Sequence, residues 1–168
     1  METWKIIEGF ENYSVSDHGN VRNNKTRRIM KKCVFTDGYV VVRLSTENKV
    51  SCLKKVSILV AQAFLHNVEN KPCVDHVDNN RTNNNILNLR WATSQENNRN
   101  ASMRKDNTSG VKGVAWHKAS QKWQSQIKID GIQIHLGTFK NLEDAKQARI
   151  TKANQVFGVF TNSCEKII

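Results

Sequence analysis

The chain has 168 residues and a formal net charge of +11, from 26 lysines and arginines against 15 aspartates and glutamates. This length suits one domain or a few small modules. The charge favours an acidic partner, although an ordinary solvated surface would also account for it. No apolar run approaches the roughly 20 residues of a membrane-spanning helix, so we expect no membrane association.

The positive charge is distributed along the whole chain. Residues 1–53 carry nine basic and six acidic side chains, residues 54–105 carry eight and four, and residues 106–168 carry nine and five. An even distribution is typical of an extended footprint on a polyanion, whereas a basic tail on a neutral domain would be lopsided.

The four cysteines indicate neither a zinc ribbon nor a disulfide framework, because none forms a CxxC pair. The sequence also shows no signal-peptide pattern. We therefore expect reduced thiols in an intracellular protein, at Cys33, Cys52, Cys73 and Cys164.

Residues 1–53 alternate polar and apolar positions between turn formers, which predicts a small antiparallel sheet. The strand candidates are Tyr13 to Val15, Val21 to Arg22 and Tyr39 to Leu44, with turn formers from Asp17 to Asn20. The following segment, from Leu53 to Leu65, has apolar residues at helical spacing and predicts an amphipathic helix that begins with Lys54 and Lys55.

An asparagine-rich loop lies between two strand-like segments, Val74 to Val77 and Asn88 to Trp91. Asparagine tolerates left-handed backbone conformations and bonds to neighbouring backbone groups, so such a run belongs in a structured loop. Thr93 or Ser94 can then cap a helix that we expect to end near Met103. The predicted order is strand, loop, strand, helix.

After a polar hinge at residues 106–110, the sequence predicts a three-stranded sheet and a helix. The strands run over residues 111–117, 122–129 and 132–139, and Asp130-Gly131 forms the turn of a hairpin. A helix follows from about residue 142 to residue 157. Its expected buried face consists of Leu142, Ala145, Ala148, Ala153 and Phe157.

The fold class predicted for the whole chain is α+β, divided into three modules. Residues 1–53 form an N-terminal module, and residues 54–105 form a central ββα unit that begins with the amphipathic helix. Residues 106–168 form a C-terminal domain in which a three-stranded antiparallel sheet packs on one helix.

The pair Asp75-His76 is the strongest candidate for a reactive site. Asn88 follows His76 by twelve positions, and Asn97 follows Asn88 by nine. A histidine with an ordinary pKa of about 6.5 can act as a general base at neutral pH. Carboxylate and amide oxygens from Asp75 and Asn97 suit Mg²⁺ or Mn²⁺. Asn88 would hold the loop through hydrogen bonds to its backbone.

These residues are ordinary loop and cap residues when each is taken alone. Neighbouring residues of a regular strand also point to opposite faces, so Asp75 and His76 can share a site only where the strand bends or ends. The combination of hairpin, helix start, spacing and basic charge favours a phosphodiester-cleaving site.

Residues 72–100, PCVDHVDNNRTNNNILNLRWATSQENNRN, resemble the HNH motif of ββα-metal endonucleases, in the version found in phage and intron homing endonucleases. The resemblance implies that Asp75 and Asn97 bind one metal ion, His76 is the general base, and Asn88 braces the loop. The last motif position is asparagine rather than histidine, as in the subgroup that often nicks one strand. Asn79 stands where many relatives have glycine.

The flanking segments resemble two further DNA-binding modules. Residues 4–22, WKIIEGFENYSVSDHGNVR, are similar to a small module found at the start of such nucleases. Residues 110–158 resemble the plant ethylene-response, or Apetala-type, domain, which implies that a three-stranded sheet enters the major groove of DNA. The resemblances together imply that residues 1–53 are a DNA-associated module, residues 54–105 an HNH nuclease domain and residues 106–168 an Apetala-type DNA-binding domain.

Strand alternation sorts the side chains of the C-terminal sheet. The helix-facing set is predicted to be Val114, Trp123, Ile127, Ile129, Ile134 and Leu136. Ala115 is expected to face outward, together with the predicted DNA contacts of this sheet: His117, Lys122, Gln124, Gln126, Lys128, Gln133, His135 and Thr138. Further phosphate contacts are predicted at Arg22, Lys25, Arg27, Arg28, Arg81, Arg90 and Lys112.

The predicted function is that of a site-specific endonuclease of the homing type that nicks or cuts double-stranded DNA, with one Mg²⁺ or Mn²⁺ per site. It is expected to act as a monomer on DNA without an obligate protein partner, in the cytoplasm of a bacterial or virus-infected host cell. A DNA-binding regulatory protein that keeps the HNH fold without activity is the main alternative. A structural RNA-binding protein is a third, which the sheet geometry disfavours.

Overall fold

The chain divides into two compact units, Met1–Ser94 and Gln95–Ile168. The computed structural model describes residues 1–101, 103 and 106–166. None of the helices in these ranges is long and apolar enough to cross a membrane. The division into three modules, at residues 53/54 and 105/106, stays a prediction.

The strands expected at the N-terminus are confirmed, but they form two antiparallel sheets rather than the single small sheet that was predicted. A turn between residues 24 and 31, in which Arg27 has a φ of 59°, separates the sheets. The first sheet has the order β1-β2-β3 and the second the order β4-β5-β6. Their bounds are β1 Trp4–Ile7, β2 Phe10–Ser16, β3 Val21–Asn23, β4 Lys32–Val34, β5 Val40–Ser45 and β6 Ser51–Lys55.

Helix α1 spans Val56–Phe64 and begins directly after β6. The predicted start at Leu53 is wrong, because Leu53, Lys54 and Lys55 are paired with β5 as the last strand of the second sheet. Backbone pairing with a neighbouring strand therefore outweighs the helical spacing of the side chains at these positions.

The predicted order of strand, loop, strand and helix is confirmed. Strand β7 (Cys73–His76) pairs antiparallel with β8 (Leu89–Ala92), and helix α2 spans Ser94–Asn100. A short 3₁₀ turn, Ile86–Asn88, precedes β8. Asn88 is thus at the end of this turn rather than on the returning strand, and α2 ends at Asn100 instead of near Met103.

The β7–β8 hairpin shares one hydrophobic core with the N-terminal sheets. Val74 and Leu89 of the hairpin join a cluster that includes Val42 and Leu44 of β5 and Val60 of α1. Each such buried side chain contributes roughly 1.5–3 kcal/mol. The hairpin that carries Asp75 and His76 is therefore packed on the hydrophobic core of the first unit.

In the second unit, a three-stranded antiparallel sheet packs on one helix. The sheet has the order β11-β10-β9, and α3 lies against it. Strand β9 starts three residues later than predicted. Gly113 approaches the backbone so closely that a Cβ there would lie 2.2 Å from the Gln126 carbonyl oxygen. The bounds are β9 Val114–His117, β10 Lys122–Ile129, β11 Ile132–Phe139 and α3 Leu142–Phe157.

The turn between β10 and β11 has the left-handed backbone of the predicted hairpin, with φ of 49° at Asp130 and 85° at Gly131. The register shifts between Ser125 and Gln126, which face Gly137 and His135. Leu136 is therefore an extra residue in β11, and the side chains that follow it alternate between the two faces of the sheet in the opposite phase. Thr138 consequently lies opposite Gln124 on the outward side, as predicted.

Most of the predicted helix-facing side chains pack on α3, but two assignments need correction. Ile134 pairs with Ile127 yet is 37% exposed. On α3, Ala148 is only half-buried, whereas Arg149 is 6% exposed and occupies the buried face. Its guanidinium binds the buried carboxylate of Glu165, which hydrophobic spacing could not reveal.

Candidate active site and nucleic-acid interface

His76 is the last residue of β7 and is only 4% exposed. Its Nε2 lies 3.1 Å from Oδ1 of Asn84, and its ring centroid lies 5.9 Å from that of Tyr39. Because an amide oxygen can only accept, Nε2 donates and carries the proton of the neutral ring. The nitrogen that would accept a proton is then Nδ1.

Burial lowers the pKa of His76 below its usual value. The hydrogen bond to Asn84 and the charges of Asp78 and Asp75 act to raise it, and the charge of Arg81 acts to lower it. The lowered pKa keeps the imidazole neutral at neutral pH, which is the protonation state that a general base needs.

Asp75, the other half of the pair, is 4% exposed and lies directly opposite Arg90 in the hairpin. Its Oδ2 accepts hydrogen bonds from Arg90 Nε at 2.8 Å and Nη2 at 2.6 Å. In this arrangement the Arg90 guanidinium is held by the Asp75 carboxylate, and the predicted contact of Arg90 with a phosphate stays a prediction.

Asn88 makes the loop contacts expected from the sequence. Its Oδ1 accepts from the backbone N–H of Asp78 at 3.0 Å, and its Nδ2 donates to the Asn83 carbonyl and to Asp78 Oδ1, both at 2.8 Å. The Asn88 carbonyl also accepts from Val77 N at 2.9 Å. These bonds close the loop directly after His76.

Asp78 and Asn84 were not recognised from the sequence. Burial acts to raise the pKa of Asp78, but hydrogen bonds from Asn83, Asn80 and Asn88 lower it overall, so its carboxylate stays ionised inside the loop. The run of asparagines showed that the loop is structured. It did not show which amide would contact His76, because that depends on how the loop closes.

The turn after β2 contacts the asparagine-rich loop and helps to fix its conformation. Ile86 N donates to the Asp17 carbonyl at 2.8 Å, and a Cβ on Gly19 would lie 2.8 Å from both Cβ and the carbonyl oxygen of Asn84. Only glycine fits at position 19, since its φ of 76° is also unfavourable for other residues. The N-terminal module therefore helps to place the amide that holds His76.

The donor chemistry of the hairpin fits a hard divalent ion. Asp75 offers a buried carboxylate, and ions such as Mg²⁺ prefer carboxylate and amide oxygens. Among the described residues no group of three or more His, Cys, Asp or Glu side chains converges. A set of one aspartate and one asparagine, as predicted, would not form such a group, and DNA phosphate would have to complete it.

Asn97 lies in the first turn of α2 and is half-buried. The C-terminal end of this helix is held within the second unit. Lys112 Nζ donates to the Arg99 carbonyl at 3.0 Å, and Asn162 Nδ2 donates to the carbonyls of Asn100 at 2.6 Å and Ala101 at 3.1 Å. Assignment of Asn97 as a metal ligand stays a prediction.

The contacts of Lys112 differ from those expected of a phosphate-binding lysine. Its ammonium group donates a hydrogen bond to α2, and burial lowers its pKa.

Arg22, another predicted phosphate contact, lies against an aromatic ring. Its guanidinium lies 4.1 Å from the ring centroid of Trp4 and is half-buried. Three further predicted phosphate contacts of residues 1–53 are exposed: Lys25, Arg27 and Arg28.

The outward face of the C-terminal sheet carries a connected set of polar side chains. His135 Nδ1 lies 3.4 Å from Gln124 Nε2, and its Nε2 lies 3.3 Å from Thr138 Oγ1. Gln133 donates to Gln126 across the same strands. Exposed members of the predicted DNA-contact set are His117, Lys128, Gln133, His135 and Thr138, whereas Lys122, Gln124 and Gln126 are half-buried.

Comparison with known proteins assigns the first unit to recognised families. Residues 2–45 match the NUMOD4 motif, and residues 54–99 match an HNH endonuclease family, a range that includes all four residues of the candidate motif. DNA endonuclease I-HmuI of Bacillus phage SP01 is 36% identical over 132 residues, which cover 77% of this chain and 75% of that protein. The chain belongs to the HNH endonuclease family.

Other HNH endonucleases extend the comparison. One from Acanthamoeba polyphaga mimivirus is 39% identical over 164 residues, covering 95% of this chain, and a second is 39% identical over 93 residues. The matched segments span only 36% and 27% of those two relatives.

A solved structure, described as DNA binding and cleavage by the HNH homing endonuclease I-HmuI, resembles this chain with a TM-score of 0.55. The two are 27% identical in sequence, and the match covers 94% of this chain and 92% of that one. The predicted α+β class and the HNH assignment are thereby confirmed. Residues 110–158 lie outside both family matches, so their resemblance to the Apetala-type domain stays a prediction.

Proposed function

We propose that this HNH protein is a DNA endonuclease in which His76 is the general base. The observation that carries the proposal is the buried, neutral imidazole at the end of β7, with Nε2 fixed by Asn84. The substrate class is taken from I-HmuI, which is described as binding and cleaving DNA. Hydrolysis by this site would leave 5′-phosphate and 3′-hydroxyl ends.

In this mechanism His76 Nδ1 removes a proton from the attacking water. A positioned general base contributes about 10²–10⁴-fold to the rate. The Asn84 contact keeps the ring in the tautomer in which Nδ1 is the basic nitrogen, and Asn88 fixes the backbone after the ring. One Mg²⁺ or Mn²⁺, held by Asp75 and Asn97, would supply positive charge where the phosphate becomes more negative.

Double-stranded DNA would be held by the exposed basic turn near Arg27 and by the outward face of the C-terminal sheet. That face is richer in glutamine and histidine than in arginine, so phosphate contacts contribute a large share of the affinity. We further propose site-specific action as a monomer of the homing type, without an obligate protein partner, inside a host cell. The phage and virus relatives support that setting.

A second candidate is a DNA-binding protein that keeps the HNH fold without cleaving. The contact between Asp75 and Arg90 favours it, because the guanidinium competes with a metal ion for a carboxylate oxygen. Both candidates would bind DNA with strong salt dependence, so binding alone does not separate them.

Cleavage of supercoiled plasmid separates the two candidates. We expect the purified protein to convert supercoiled plasmid to the nicked or linear form in Mg²⁺ or Mn²⁺, and to do nothing in excess EDTA. Gel electrophoresis over time measures the conversion. Absence of any cleavage across Mg²⁺, Mn²⁺, Ca²⁺ and Zn²⁺, at concentrations where the protein binds DNA, would eliminate the enzyme in favour of the binding protein.

The cleavage rate should depend on pH through His76. Because burial lowers the pKa of this imidazole, the rate should be constant near neutral pH and should fall only as pH drops below about 6.5, when the base becomes protonated. Asn84→Ala removes a hydrogen bond that raises this pKa, so the fall should move to lower pH. Single-turnover rates from pH 5 to 8, in roughly constant ionic strength, measure both profiles.

Asn48→Ala is the matched control for the pH profile, because Asn48 is an exposed residue of another turn in the first unit. Its profile should coincide with that of the wild type. A fall in rate that begins well above pH 6.5 in the wild type would contradict a buried neutral base at position 76.

A further inference from the structure

Two cations lie over a single aromatic ring beside the candidate base. Lys55 Nζ is 3.7 Å and Arg81 Cζ is 4.7 Å from the ring centroid of Tyr39. Lys55 comes from the end of β6, and Arg81 comes from the asparagine-rich loop. These cation–π contacts restrict the rotamers of both side chains. Isolated lysine and arginine side chains on a surface would sample many rotamers.

Asp37 holds the same two side chains. Its Oδ2 lies 3.3 Å from Lys55 Nζ, and its backbone carbonyl accepts a hydrogen bond from Arg81 Nη1. A hydrogen bond from Tyr39 N lowers the pKa of Asp37, and Lys55 and Arg81 lower it further, so this carboxylate stays ionised. The group contains two positive charges and one negative charge, which leaves one positive charge in excess.

The group adjoins His76. The ring centroids of Tyr39 and His76 are 5.9 Å apart, and the Arg81 charge is among the causes that lower the His76 pKa. Arg81 is exposed, and the Lys55 side chain is 38% exposed, so both can be reached from solvent.

We propose that Lys55, Arg81 and Tyr39 form a phosphate platform that binds the DNA backbone beside the phosphodiester that His76 attacks. This inference rests on the proposed endonuclease function and names further substrate contacts for it. A backbone phosphate takes the place of the Asp37 carboxylate beside Lys55 and also accepts hydrogen bonds from the Arg81 guanidinium. The Tyr39 ring keeps both cations in place. The two long side chains are already ordered in the free protein, so DNA binding costs less side-chain entropy.

The neighbouring residue Lys54 provides a matched control. It belongs to the same strand and carries the same charge, but it points the other way and lies 5.3 Å from the ring centroid of Phe10. Replacement of either lysine by glutamine removes one positive charge and keeps most of the side-chain length. Any difference between the two variants therefore reports position rather than net charge.

The test measures binding of a short mixed-sequence DNA duplex in EDTA as a function of salt concentration. The slope of log affinity against log salt is negative, and for Lys55→Gln we expect its magnitude to decrease by about 0.9, the value for one lost phosphate contact. Lys54→Gln should change the slope by much less. Arg81→Gln is the second platform variant and should decrease the magnitude of the slope as Lys55→Gln does. The single-turnover cleavage rate should also fall in both platform variants.

Equal salt slopes for Lys55→Gln and Lys54→Gln, with wild-type melting temperatures for both, would overturn the platform. That result is distinct from failure of the proposed function. If the wild type binds DNA but never cleaves it, the endonuclease proposal fails, whereas the salt slopes still decide whether Lys55 and Arg81 contact phosphate.

Discussion

His76→Ala should lower the rate of DNA cleavage by about 10²–10⁴-fold and leave DNA affinity within a few-fold of the wild type. A general base acts on the transition state, whereas ground-state binding depends on phosphate and base contacts made elsewhere. The expected loss is large because the buried imidazole is the only histidine on the hairpin. Single-turnover cleavage of plasmid in Mg²⁺ and duplex binding in EDTA measure the two quantities.

His66→Ala is the control, because His66 is exposed and lies in the segment after α1. It should cleave at the wild-type rate. If His76→Ala lost affinity in parallel with rate while retaining its melting temperature, His76 would be a DNA contact rather than a base. If it lost its melting temperature as well, the residue would be structural.

Arg149→Met should destabilise the second unit by about 3–5 kcal/mol. The side chains of Arg149 and Glu165 are 8% and 0% exposed, and Arg149 Nε donates to Glu165 Oε1. Removal of the guanidinium leaves a buried carboxylate without its counter-ion and removes the donor to the Gln126 carbonyl. Denaturant unfolding followed by tryptophan fluorescence measures the change, since Trp116 and Trp123 belong to this unit.

Lys146→Met gives the comparison on the same helix. Lys146 pairs with Glu143, whose side chain is 76% exposed, and such surface pairs contribute about 0–1 kcal/mol. The double variant Arg149→Met/Glu165→Leu should recover part of the lost stability, because it removes the isolated buried charge. A loss for Arg149→Met as small as that for Lys146→Met would mean that solvent reaches Glu165.

The hairpin and the C-terminal sheet could be predicted because their signals are local. The asparagine-rich loop and the Asp130-Gly131 turn each mark a reversal of the chain between strands of suitable pattern. The helix predicted for residues 142–157 likewise matches α3. In such segments, neighbouring residues supply enough information to specify the element.

Several contacts that the sequence did not predict join residues that are distant along the chain. Arg90 reaches Asp75 only because the register of β7 and β8 places them opposite each other. Lys55 meets Tyr39 because β6 pairs with β5, a pairing that the helical spacing of the segment concealed. Arg149 is buried because Glu165 returns to it from beyond the helix.

The attachment of α2 has a practical consequence for protein engineering. Asn162 and Lys112 supply the donors for the last carbonyls of this helix, and the boundary of the two units falls between Ser94 and Gln95. A chimera that takes its second unit from a different nuclease should therefore be joined before the helix. A junction near residue 105 would leave the carbonyls of Arg99 and Asn100 without these two donors. The C-terminal end of α2 would then fray in the recombined protein.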